Sequence, residues 1–313
     1  MIDETEQNKP AFVGVDWGTS SFRAWLMSAA GHVLGESKSS QGMLHCAENG
    51  FAPVLASHLE KLNAPASLPI VICGMAGARQ GWVEAPYLTT PTALDALHSG
   101  AVSAPFEGDV RILPGIAQAD KDRPDVMRGE ETQILGAIRS DFSGLVCIPG
   151  THSKWVRIAE GRVESFTTYM TGELFSVLSH HSILKHAVEQ ESDGAFENLA
   201  FFAGVDKGLE SPGSLTSNLF GLRASQLLDF GNLSDGSGWL SGLLIGVELA
   251  DATEHASKNE PLVLIGTGRL ASLYAKAMQH IDYQPVIMDA EAASRHGLHK
   301  AARNLWNMDK QDA

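Results

Sequence analysis

The stretch that most constrains this chain is residues 12–27, which read FVGVDWGTSSFRAWLM. An apolar run from Ala11 to Val15 breaks at residues 16–20, and an alternating apolar and polar pattern resumes at Phe22. This pattern predicts a buried strand, a tight turn and a second strand. The chain is therefore expected to begin its first domain with a β-hairpin.

The turn of this hairpin combines a carboxylate, a glycine and two hydroxyl side chains. Gly18 lets the backbone approach a ligand closely, and Thr19 and Ser20 add hydroxyl groups to the N–H groups of the turn. Asp16 lies at the strand end, where its carboxylate could hold a hydrated Mg²⁺ ion. These residues suit a phosphate site with its own metal ligand, although they could equally serve turn hydrogen bonds alone.

The length and net charge of the chain limit the number of domains and the kinds of partner that we expect. At 313 residues the chain exceeds one comfortable hydrophobic core, so two domains are expected. The 23 basic and 37 acidic residues give a net charge of -14, and no cluster of Lys or Arg occurs. Such a surface repels nucleic acid and anionic lipid, so neither is an expected partner.

The cysteines and the apolar segments indicate where in the cell the protein is located. Three cysteines, Cys46, Cys73 and Cys147, lie far apart without C-x-x-C spacing, which favours reduced thiols over disulfides or a zinc site. The first ten residues contain no apolar core of a signal peptide, and no apolar run is long enough to span a bilayer. We expect a cytoplasmic protein.

Glycine turns of the same kind recur twice along the chain. PGTHSK, residues 149–154, follows an apolar strand and leads into a hairpin, and GTGR, residues 266–269, follows another strand. Three such turns indicate a ligand with several phosphates and a nucleoside, which is the shape of ATP. The repeated strand, turn and strand pattern also suggests two related lobes.

The remaining pattern alternates short strands with helices. Strands are predicted at 31–37, 69–73, 110–113, 145–148, 262–265 and 286–288, and helices at 51–62, from 125, across 172–256 with breaks near 211–213 and 234–236, at 269–278 and at 290–306.

Two pairs of charged residues are candidates for catalysis and substrate binding. Glu130 and Glu131 open a helix, where the dipole keeps a carboxylate ionised, as a base that accepts a hydroxyl proton requires. The same pair could simply cap the helix. Arg79, in the loop GMAGARQGW, could bind a substrate carboxylate through its two-pronged guanidinium, and Arg23 could do the same, or each could face water.

One motif favours a different class of ligand. Gly266-x-Gly268-x-x-Ala271, with Asp289 about 20 residues further on, matches the dinucleotide fingerprint of dehydrogenases. The hydroxyl-rich turns at 18–20 and 150–153 do not belong to that fingerprint, so this alternative ranks lower.

The order of these motifs resembles the sugar kinase, actin and heat-shock-protein superfamily. Within it, VDWGTSSFRAWL, GMAGARQGWVEAPY, DVMRGEETQILGA, PGTHSKWV, FTTYMTGELF and LSGLLIGVEL resemble the 2-dehydro-3-deoxygalactonokinase family. The likeness covers residues 12–306. The glycine loop with its arginine, RGEETQ and PGTHSKW carry most of its specificity.

The resemblance implies an α/β fold of two actin-like, ribonuclease H-like lobes around an ATP cleft. The N-terminal lobe would span residues 11–140 after a disordered segment of residues 1–10. The C-terminal lobe would span residues 141–313, with its last helix returning to the first lobe in one variant of this prediction.

The resemblance also implies a reaction and its residues. The family phosphorylates 2-dehydro-3-deoxy-D-galactonate at its 6-hydroxyl with ATP and Mg²⁺, in D-galactonate catabolism. The expected roles are catalysis by Glu130, Glu131 and Asp16, with Asp16 holding the metal through water; phosphate binding by Gly18, Thr19, Ser20, Gly150, Thr151, Ser153 and Lys154; adenosine binding by Gly266, Thr267 and Gly268; and substrate binding by Arg79, Gln80, Gln41, Arg128 and Arg23.

Several alternatives stay open at this point. The acceptor could be another sugar acid, such as the gluconate epimer, and the sequence does not identify which glutamate is the base. An NAD-dependent dehydrogenase and a non-catalytic ATP switch rank lower. The expected partner is a small sugar acid, and a homo-oligomer is left open.

Overall fold

The computed structural model describes residues 9–188, 199–230 and 233–308, without the side chains of residues 233–235. The chain divides into two compact units. Unit 1 contains residues 1–143, 158–165 and 289–313, and unit 2 contains residues 144–157 and 166–288. Most of the predicted disordered segment, residues 1–10, lies outside the described residues, although Pro10 already begins the first strand.

Unit 1 begins with the predicted hairpin and ends with a helix from the far end of the chain. Its elements are β1 (Pro10–Trp17), β2 (Phe22–Ser28), β3 (Val33–Ser39), α1 (Met43–Asn49), α2 (Phe51–Lys61), β4 (Ile70–Gly74), β5 (Tyr87–Thr89), β6 (Thr92–Ala93), β7 (Val102–Ser103), β8 (Val110–Ile112), β9 (Gly115–Gln118), β10 (Asp125–Met127), α3 (Glu130–Ala137) and, after unit 2, the helix Ala290–Trp306.

The main sheet of unit 1 has six strands in the order β3-β2-β1-β4-β8-β7, and β10-β9-β5 form a smaller sheet. β2 is antiparallel to β1 and β3, whereas β4 is parallel to β1 and to β8. The register places Asp16 of β1 between Arg23 on one side and Cys73 on the other. The hairpin prediction is confirmed.

Buried aromatic and aliphatic side chains pack one face of this sheet against α2. Trp17 and Phe22, at the two ends of the first turn, pack edge to face with ring centroids 4.7 Å apart. Phe51 and Leu55 of α2 join the same buried cluster. Because aromatic pairs of this kind add to the free energy of burial, the core also fixes the two strand ends that flank the turn.

Unit 2 contains a second sheet and most of the helices. Its elements are β11 (Gly144–Ile148), β12 (Ser153–Ala159), β13 (Arg162–Tyr169), α4 (Thr171–His181), α5 (Leu199–Glu210), α6 (Leu215–Leu227), α7 (Leu233–Ala252), β14 (Leu262–Ile265), α8 (Gly268–His280) and β15 (Val286–Met288); the helix of unit 1 that follows is α9 (Ala290–Trp306). The tip of the β12–β13 hairpin, residues 158–165, groups with unit 1.

The sheet of unit 2 runs in the order β15-β14-β11-β12-β13, with β11 parallel to β14 and β14 parallel to β15. Its core includes Phe201 and Val205 of α5, Ile245 and Leu249 of α7 and Tyr274 of α8. The glycine turns at 149–152 and 266–267 follow β11 and β14 directly. Two neighbouring parallel strands therefore each end at one of these turns.

Two local predictions were wrong, and one helix was missed. α7 begins at Leu233 and runs through the predicted break at 234–236, because Ser, Asp and Gly are favoured at helix starts as well as in turns. Residues 125–127 form β10, and the helix begins only at Glu130. Helix α1 was not predicted. Along the described parts of the chain, no helix has both the length and the apolar character to span a membrane.

Helices α3 and α9 of unit 1 approach each other at two glycines. A Cβ atom built at Gly136 would lie 1.9 Å from the carbonyl oxygen of Ala293, and one built at Gly297 would lie 1.9 Å from the carbonyl oxygen of Thr132. Such distances are far inside van der Waals contact, so the two backbones can pack this closely only where no side chain intervenes.

We expect Gly136→Ala to lower the free energy of unfolding by about 1–3 kcal/mol, because the added methyl group must push α3 and α9 apart. Urea denaturation followed by circular dichroism measures this change. The matched control is Gly221→Ala in α6, where a Cβ atom would meet nothing within 4 Å. That variant should gain about 0.5–1 kcal/mol from helix propensity. Equal effects of the two substitutions would contradict the packing argument.

Candidate functional site

The first glycine turn of unit 1 is held in shape by backbone hydrogen bonds. Gly18 N–H donates to the carbonyl of Ser21 over 2.8 Å, and the first two N–H groups of α1 donate to the carbonyls of Gly18 and Thr19 over 3.0 Å each. A Cβ atom at Gly42 would lie 2.5 Å from the backbone nitrogen of Ser20. The side chains of Thr19 and Ser20 are exposed, so this fixed turn presents two hydroxyl groups to solvent.

Asp16 lies directly before this turn and is partly shielded from water. Its side chain is 17% exposed, and Arg23 Nη1 lies 3.7 Å from Asp16 Oδ2. Ser294 Oγ of α9 donates to the same oxygen over 3.1 Å. Burial raises the pKa of Asp16, although the charge of Arg23 opposes the rise. The negative charges of Glu130 and Glu291 raise the pKa of Asp16 further.

The two candidate bases differ sharply in their surroundings. Glu131 is 0% exposed, and both of its carboxylate oxygens accept from Gly129 N–H, over 2.8 and 2.9 Å. Glu130 is partly exposed, and its Oε2 accepts from Arg128 N–H over 3.0 Å. Glu130 is therefore partly open to solvent, whereas Glu131 is buried at the start of α3.

Burial raises the pKa of Glu131 to about 8, and the negative charge of Glu130 adds to the rise. The Gly129 N–H group, which donates to the Glu131 carboxylate, works in the opposite direction. The surroundings of Glu131 thus favour the protonated form of its carboxyl group.

The loop with Arg79 follows β4 and turns tightly. Gly74 has φ +87°, and a Cβ atom there would lie 2.5 Å from the Trp17 carbonyl oxygen, so only glycine fits. Residues 75–77 form a short 3₁₀ helix. Arg79 and Gln80 are exposed, and Arg79 makes no side-chain hydrogen bond or ion pair with another described residue. The loop therefore carries a guanidinium free to meet a ligand.

Arg128 lies beneath the same loop. Its Nη2 donates to the carbonyl of Ala85 over 2.8 Å, and its guanidinium carbon lies 4.3 Å from the centre of the Tyr87 ring. A Cβ atom at Gly77 would lie 2.9 Å from Arg128 Nη1. Nε and Nη1 are buried without a hydrogen-bond partner among the described residues. Arg128 thus supports the loop by packing while two of its donor atoms stay unpaired.

Gln41 belongs to a polar cluster that sequence reasoning missed. Its Oε1 lies 3.2 Å from Nε2 of the buried His58, whose Nδ1 lies 2.7 Å from Ser37 Oγ. Ser39 Oγ also lies 3.1 Å from His58 Nε2. Burial lowers the pKa of His58. The spacing of His58 on α2 predicts only a core position, and nothing in the sequence pairs it with Gln41.

In unit 2, the turn PGTHSK has both outward-facing and inward-facing members. Thr151 is exposed, and its carbonyl accepts from Glu173 N–H of α4 over 2.9 Å. Ser153 is fully buried, with Oγ 2.8 Å from the hydroxyl oxygen of Tyr274. Lys154 is 5% exposed, and its Nζ donates to the carbonyl of His152 over 3.2 Å. The side chains of Ser153 and Lys154 therefore support the turn from within.

Glu248 of α7 is the second functional candidate that the sequence did not reveal. It is 2% exposed and accepts from Trp155 Nε1 over 2.8 Å, from the Tyr274 hydroxyl over 2.6 Å and from Thr171 Oγ1. Burial raises the pKa of Glu248, and the donated hydrogen bonds oppose the rise. One signal was available: a lone carboxylate within the apolar helix segment LSGLLIGVEL needs buried partners.

The third glycine turn opens α8. Gly266 follows β14, and its N–H donates to the Met288 carbonyl over 3.0 Å. Thr267 is the N-cap residue of α8 but makes no side-chain capping bond, and Gly268 has φ +65° with open space around it. Thr267 and Gly268 are exposed. The start of this helix therefore presents unblocked backbone to solvent.

A cavity of about 650 Å³ in unit 1 contains none of the predicted site residues. It lies between the ends of α3 and α9 and the tip of the β12–β13 hairpin. Lys300, at its wall, donates to the carbonyls of Leu135 and Ile138 over 2.8 and 3.0 Å and so caps the end of α3. The cavity is a feature of helix packing rather than part of the candidate site.

Comparison with known proteins gives consistent matches across the chain. The model of the 2-keto-3-deoxy-galactonokinase family matches residues 16–301. A probable 2-dehydro-3-deoxygalactonokinase of Rhizobium meliloti (strain 1021) is 48% identical over 298 residues, covering 94% of this chain and 97% of that protein. The 2-dehydro-3-deoxygalactonokinase of Escherichia coli (strain K12) is 33% identical over 297 residues, covering 95% and 99%.

A solved structure gives the same result for the fold. The crystal structure of a proposed 2-dehydro-3-deoxygalactonokinase from Sinorhizobium meliloti matches with a TM-score of 0.90 and 48% identity, covering 94% of this chain and 99% of that chain. The predicted fold class, an α/β protein of the actin-like kind, is confirmed.

The protonation of Glu131 predicts how stability depends on pH. A carboxyl whose pKa rises from 4.5 to about 8 on folding binds its proton more tightly in the folded chain. Its contribution to stability is full below the unfolded value and is lost as pH rises through about 8. Glu131→Gln cannot ionise, so its free energy of unfolding should not fall in this way. Between pH 5 and pH 8 we expect the difference in free energy of unfolding between this variant and the unsubstituted protein to change by more than about 1 kcal/mol in favour of the variant. Urea denaturation across this range tests it, and parallel curves would contradict it.

Proposed function

Because the chain belongs to the 2-keto-3-deoxy-galactonokinase family, we propose that it transfers the γ-phosphoryl group of ATP to the 6-hydroxyl of 2-dehydro-3-deoxy-D-galactonate. The products are 2-dehydro-3-deoxy-6-phospho-D-galactonate and ADP, in D-galactonate catabolism. The observation that carries this proposal is that the backbone just before Glu130 lies beside the strand end that carries Asp16 and leads into the fixed turn at Gly18. A Cβ atom at Gly129 would lie 3.4 Å from the Cα atom of Gly74, which pairs with Trp17. A cytoplasmic location also remains part of the proposal, supported by three buried free cysteines.

The reaction needs a proton acceptor for the attacking hydroxyl. The substrate oxygen forms a bond to the γ-phosphorus while the bond to the bridging oxygen of ADP breaks, and the hydroxyl proton leaves. We assign that proton to Glu130, because this residue is partly exposed and the preceding Gly129 lies against Gly74, beside the strand that carries Asp16. Glu131 is 0% exposed and supports the start of α3.

Each unit supplies a glycine turn for the nucleotide phosphates in this proposal. In unit 1 the exposed hydroxyl groups of Thr19 and Ser20 and the backbone of Gly18 contact phosphate oxygens. In unit 2 the backbone at Gly150 and Thr151 does so, while Ser153 and Lys154 hold that turn from inside. The open backbone at Gly266, Thr267 and Gly268 contacts adenosine. Fixed turns suit this task, because donors already in place lose little entropy when the nucleotide binds.

The residues near the first turn fit a magnesium ion that binds with the nucleotide. Mg²⁺ is commonly held by one or two carboxylates, with waters and substrate phosphates completing its six ligands. Asp16 supplies one such carboxylate at 17% exposure. In the part of the chain that the structure describes, no three His, Cys, Asp or Glu side chains cluster as a site made of protein ligands alone. When bound, the ion neutralises phosphate charge.

The carboxylate of the sugar acid requires a positive group. Arg79 is the candidate that the structure leaves exposed and unpaired among the described residues, on a loop whose shape depends on Gly74. Arg128 holds that loop from beneath through Ala85. Gln80, Gln41 and Arg23 are further candidates for contacts with substrate hydroxyl groups. Bidentate pairing of guanidinium with carboxylate would give both affinity and orientation.

The function is tested by ADP release with Mg-ATP and a panel of acceptors. The panel contains 2-dehydro-3-deoxygalactonate, its gluconate epimer, unmodified sugars and no acceptor. We expect turnover with the galactonate derivative well above all others. The two epimers differ in the orientation of one hydroxyl group, and a misplaced hydrogen bond is worth about 1–3 kcal/mol, enough for the assay to distinguish them. Preference for the gluconate epimer would make that sugar acid the assigned acceptor. Release that ignores the acceptor would contradict kinase activity and leave an ATPase.

Replacing the assigned base should slow the chemical step. We expect Glu130→Gln to lower kcat by about 10²–10⁴-fold with little change in the KM for ATP, because the amide cannot accept the proton. Glu131→Gln is the matched variant of the neighbouring glutamate and should reduce kcat much less. Steady-state kinetics on both proteins, each checked for its melting temperature, makes the comparison. A larger loss in Glu131→Gln with intact folding would exchange the two roles.

Removing Arg79 should weaken binding of the sugar acid selectively. We expect Arg79→Ala to raise the KM for the sugar acid about 10- to 100-fold, because the substitution removes a charge-assisted hydrogen-bonded pair. The KM for ATP should stay nearly unchanged. Arg123→Ala, at an arginine whose side chain is 78% exposed in the same unit, is the control and should change neither constant. A selective rise in the KM for ATP would reassign Arg79 to the nucleotide.

A further inference from the structure

The buried carboxylate of Glu248 joins three separate elements of unit 2. It accepts hydrogen bonds from Trp155 of β12, Thr171 of α4 and Tyr274 of α8. Taking a carboxylate out of water is costly unless donors satisfy its oxygens, and here three donors do so. The position of Glu248 on α7 therefore fixes where these three elements meet.

Two routes lead from this carboxylate to the glycine turn at residues 149–154. The first runs through Tyr274, whose hydroxyl oxygen lies 2.8 Å from Ser153 Oγ at the end of the turn. The second runs through Thr171, the first residue of α4, because Glu173 N–H in that same first helical turn donates to the Thr151 carbonyl over 2.9 Å. Both ends of the turn are thus tied to one buried group.

The acceptor character of the carboxylate also sets the direction of these hydrogen bonds. The Tyr274 hydroxyl has a single hydrogen and donates it to Glu248. The oxygen of Tyr274 is then left to accept, and Ser153 donates to it. The hydroxyl hydrogen of Ser153 is therefore committed inward, and the side chain holds the turn from inside.

The close contact of α4 with the turn leaves little freedom for other shapes. A Cβ atom at Gly172 would lie 2.4 Å from the Gly150 carbonyl oxygen and 2.9 Å from the Cα atom of Thr151. The backbone of α4 thus lies against the turn, and Thr171 fixes where α4 begins. A shift of Thr171 away from Glu248 would move this contact surface.

We propose that Glu248 is a positioning residue that holds the turn at residues 149–154, through Tyr274 and Thr171, in the shape that binds ATP phosphates. This inference rests on the proposed kinase function. Glu248 is 2% exposed and Tyr274 is fully buried, so neither touches a ligand, and both act through the turn. Both routes from Glu248 end at the turn at residues 149–154, so the expected effect is on the nucleotide that this turn binds.

Tyr274→Phe tests the first route by removing one hydroxyl group. The affinity for Mg-ATP is measured by titration calorimetry, and kcat and both KM values are measured in the ADP-release assay. We expect the Kd and KM for ATP to rise about tenfold or more, because the variant loses a hydrogen bond to the carboxyl group of Glu248. The KM for the sugar acid should stay within about twofold of that of the unsubstituted enzyme. Such a split between the two KM values does not arise from general loss of folding.

The matched control is Tyr283→Phe, which removes another buried tyrosine hydroxyl in the same unit. Tyr283 is 2% exposed, and its hydroxyl donates to the Ala256 carbonyl over 3.1 Å, away from the turn. We expect this variant to lose similar thermal stability and to keep the ATP affinity of the unsubstituted enzyme. An equal fall in ATP affinity in both variants would overturn the proposal, because the effect would then follow stability alone.

Glu248→Gln provides a second and independent variant. It keeps the shape of the side chain but turns one acceptor into a donor, so it should weaken ATP binding in the same selective way. In the double variant with Tyr274→Phe the losses should be smaller than their sum, because both changes cut one route. Normal ATP affinity in Glu248→Gln and Tyr274→Phe, with the unsubstituted enzyme active, overturns the positioning role and leaves the kinase function standing. An unsubstituted protein that binds no Mg-ATP overturns both.

Discussion

Each unit of this protein keeps the carboxyl group of one glutamate out of water, and hydrogen bonds to that group fix the backbone around it. In unit 1, Glu131 caps α3 through the Gly129 N–H group. In unit 2, Glu248 gathers three side-chain donors from three elements. An unsatisfied buried carboxylate would cost several kcal/mol, so neither arrangement can relax without losing its donors. In unit 2 the shape of the turn at residues 149–154 therefore depends on hydrogen bonds in the core behind it.

This arrangement separates the groups that hold the site from the groups that meet ligands. Thr19, Ser20, Arg79 and Thr151 are exposed, whereas several residues that shape their loops are buried, among them Gly42, Gly74, Ser153 and Glu248. A site that transfers a phosphoryl group works mainly by positioning, because the chemistry needs charges and oxygen atoms held in line. Buried supports let the exposed residues be few and small. They also make the affinity for ligands sensitive to substitutions that no ligand touches.

Much of this fold follows from local sequence patterns. The opening hairpin was predictable because its apolar run, its glycine turn and its alternating strand lie within sixteen residues, and the pairing of Asp16 with Arg23 follows from that hairpin. The partners of Glu248 and His58 were not predictable, because they lie 26 to 93 and 17 to 21 residues away in sequence. The choice between Glu130 and Glu131 likewise needed burial, since the two are neighbours in sequence. Patterns locate turns, but only packing shows which side chains face inward.

The position of α9 has a consequence for how the chain is made. This helix packs against α3 at Gly136 and Gly297 and places Ser294 on Asp16, yet it is translated after the whole of unit 2. At ordinary elongation rates, roughly ten seconds or more separate the synthesis of α3 from that of α9. During that interval the nascent first unit exposes the glycine surface of α3 to the cell. Unit 2 can complete its core before α9 is synthesised, whereas unit 1 cannot complete its packing until α9 has been made. A chaperone that shields α3 would therefore act on the N-terminal part of the chain.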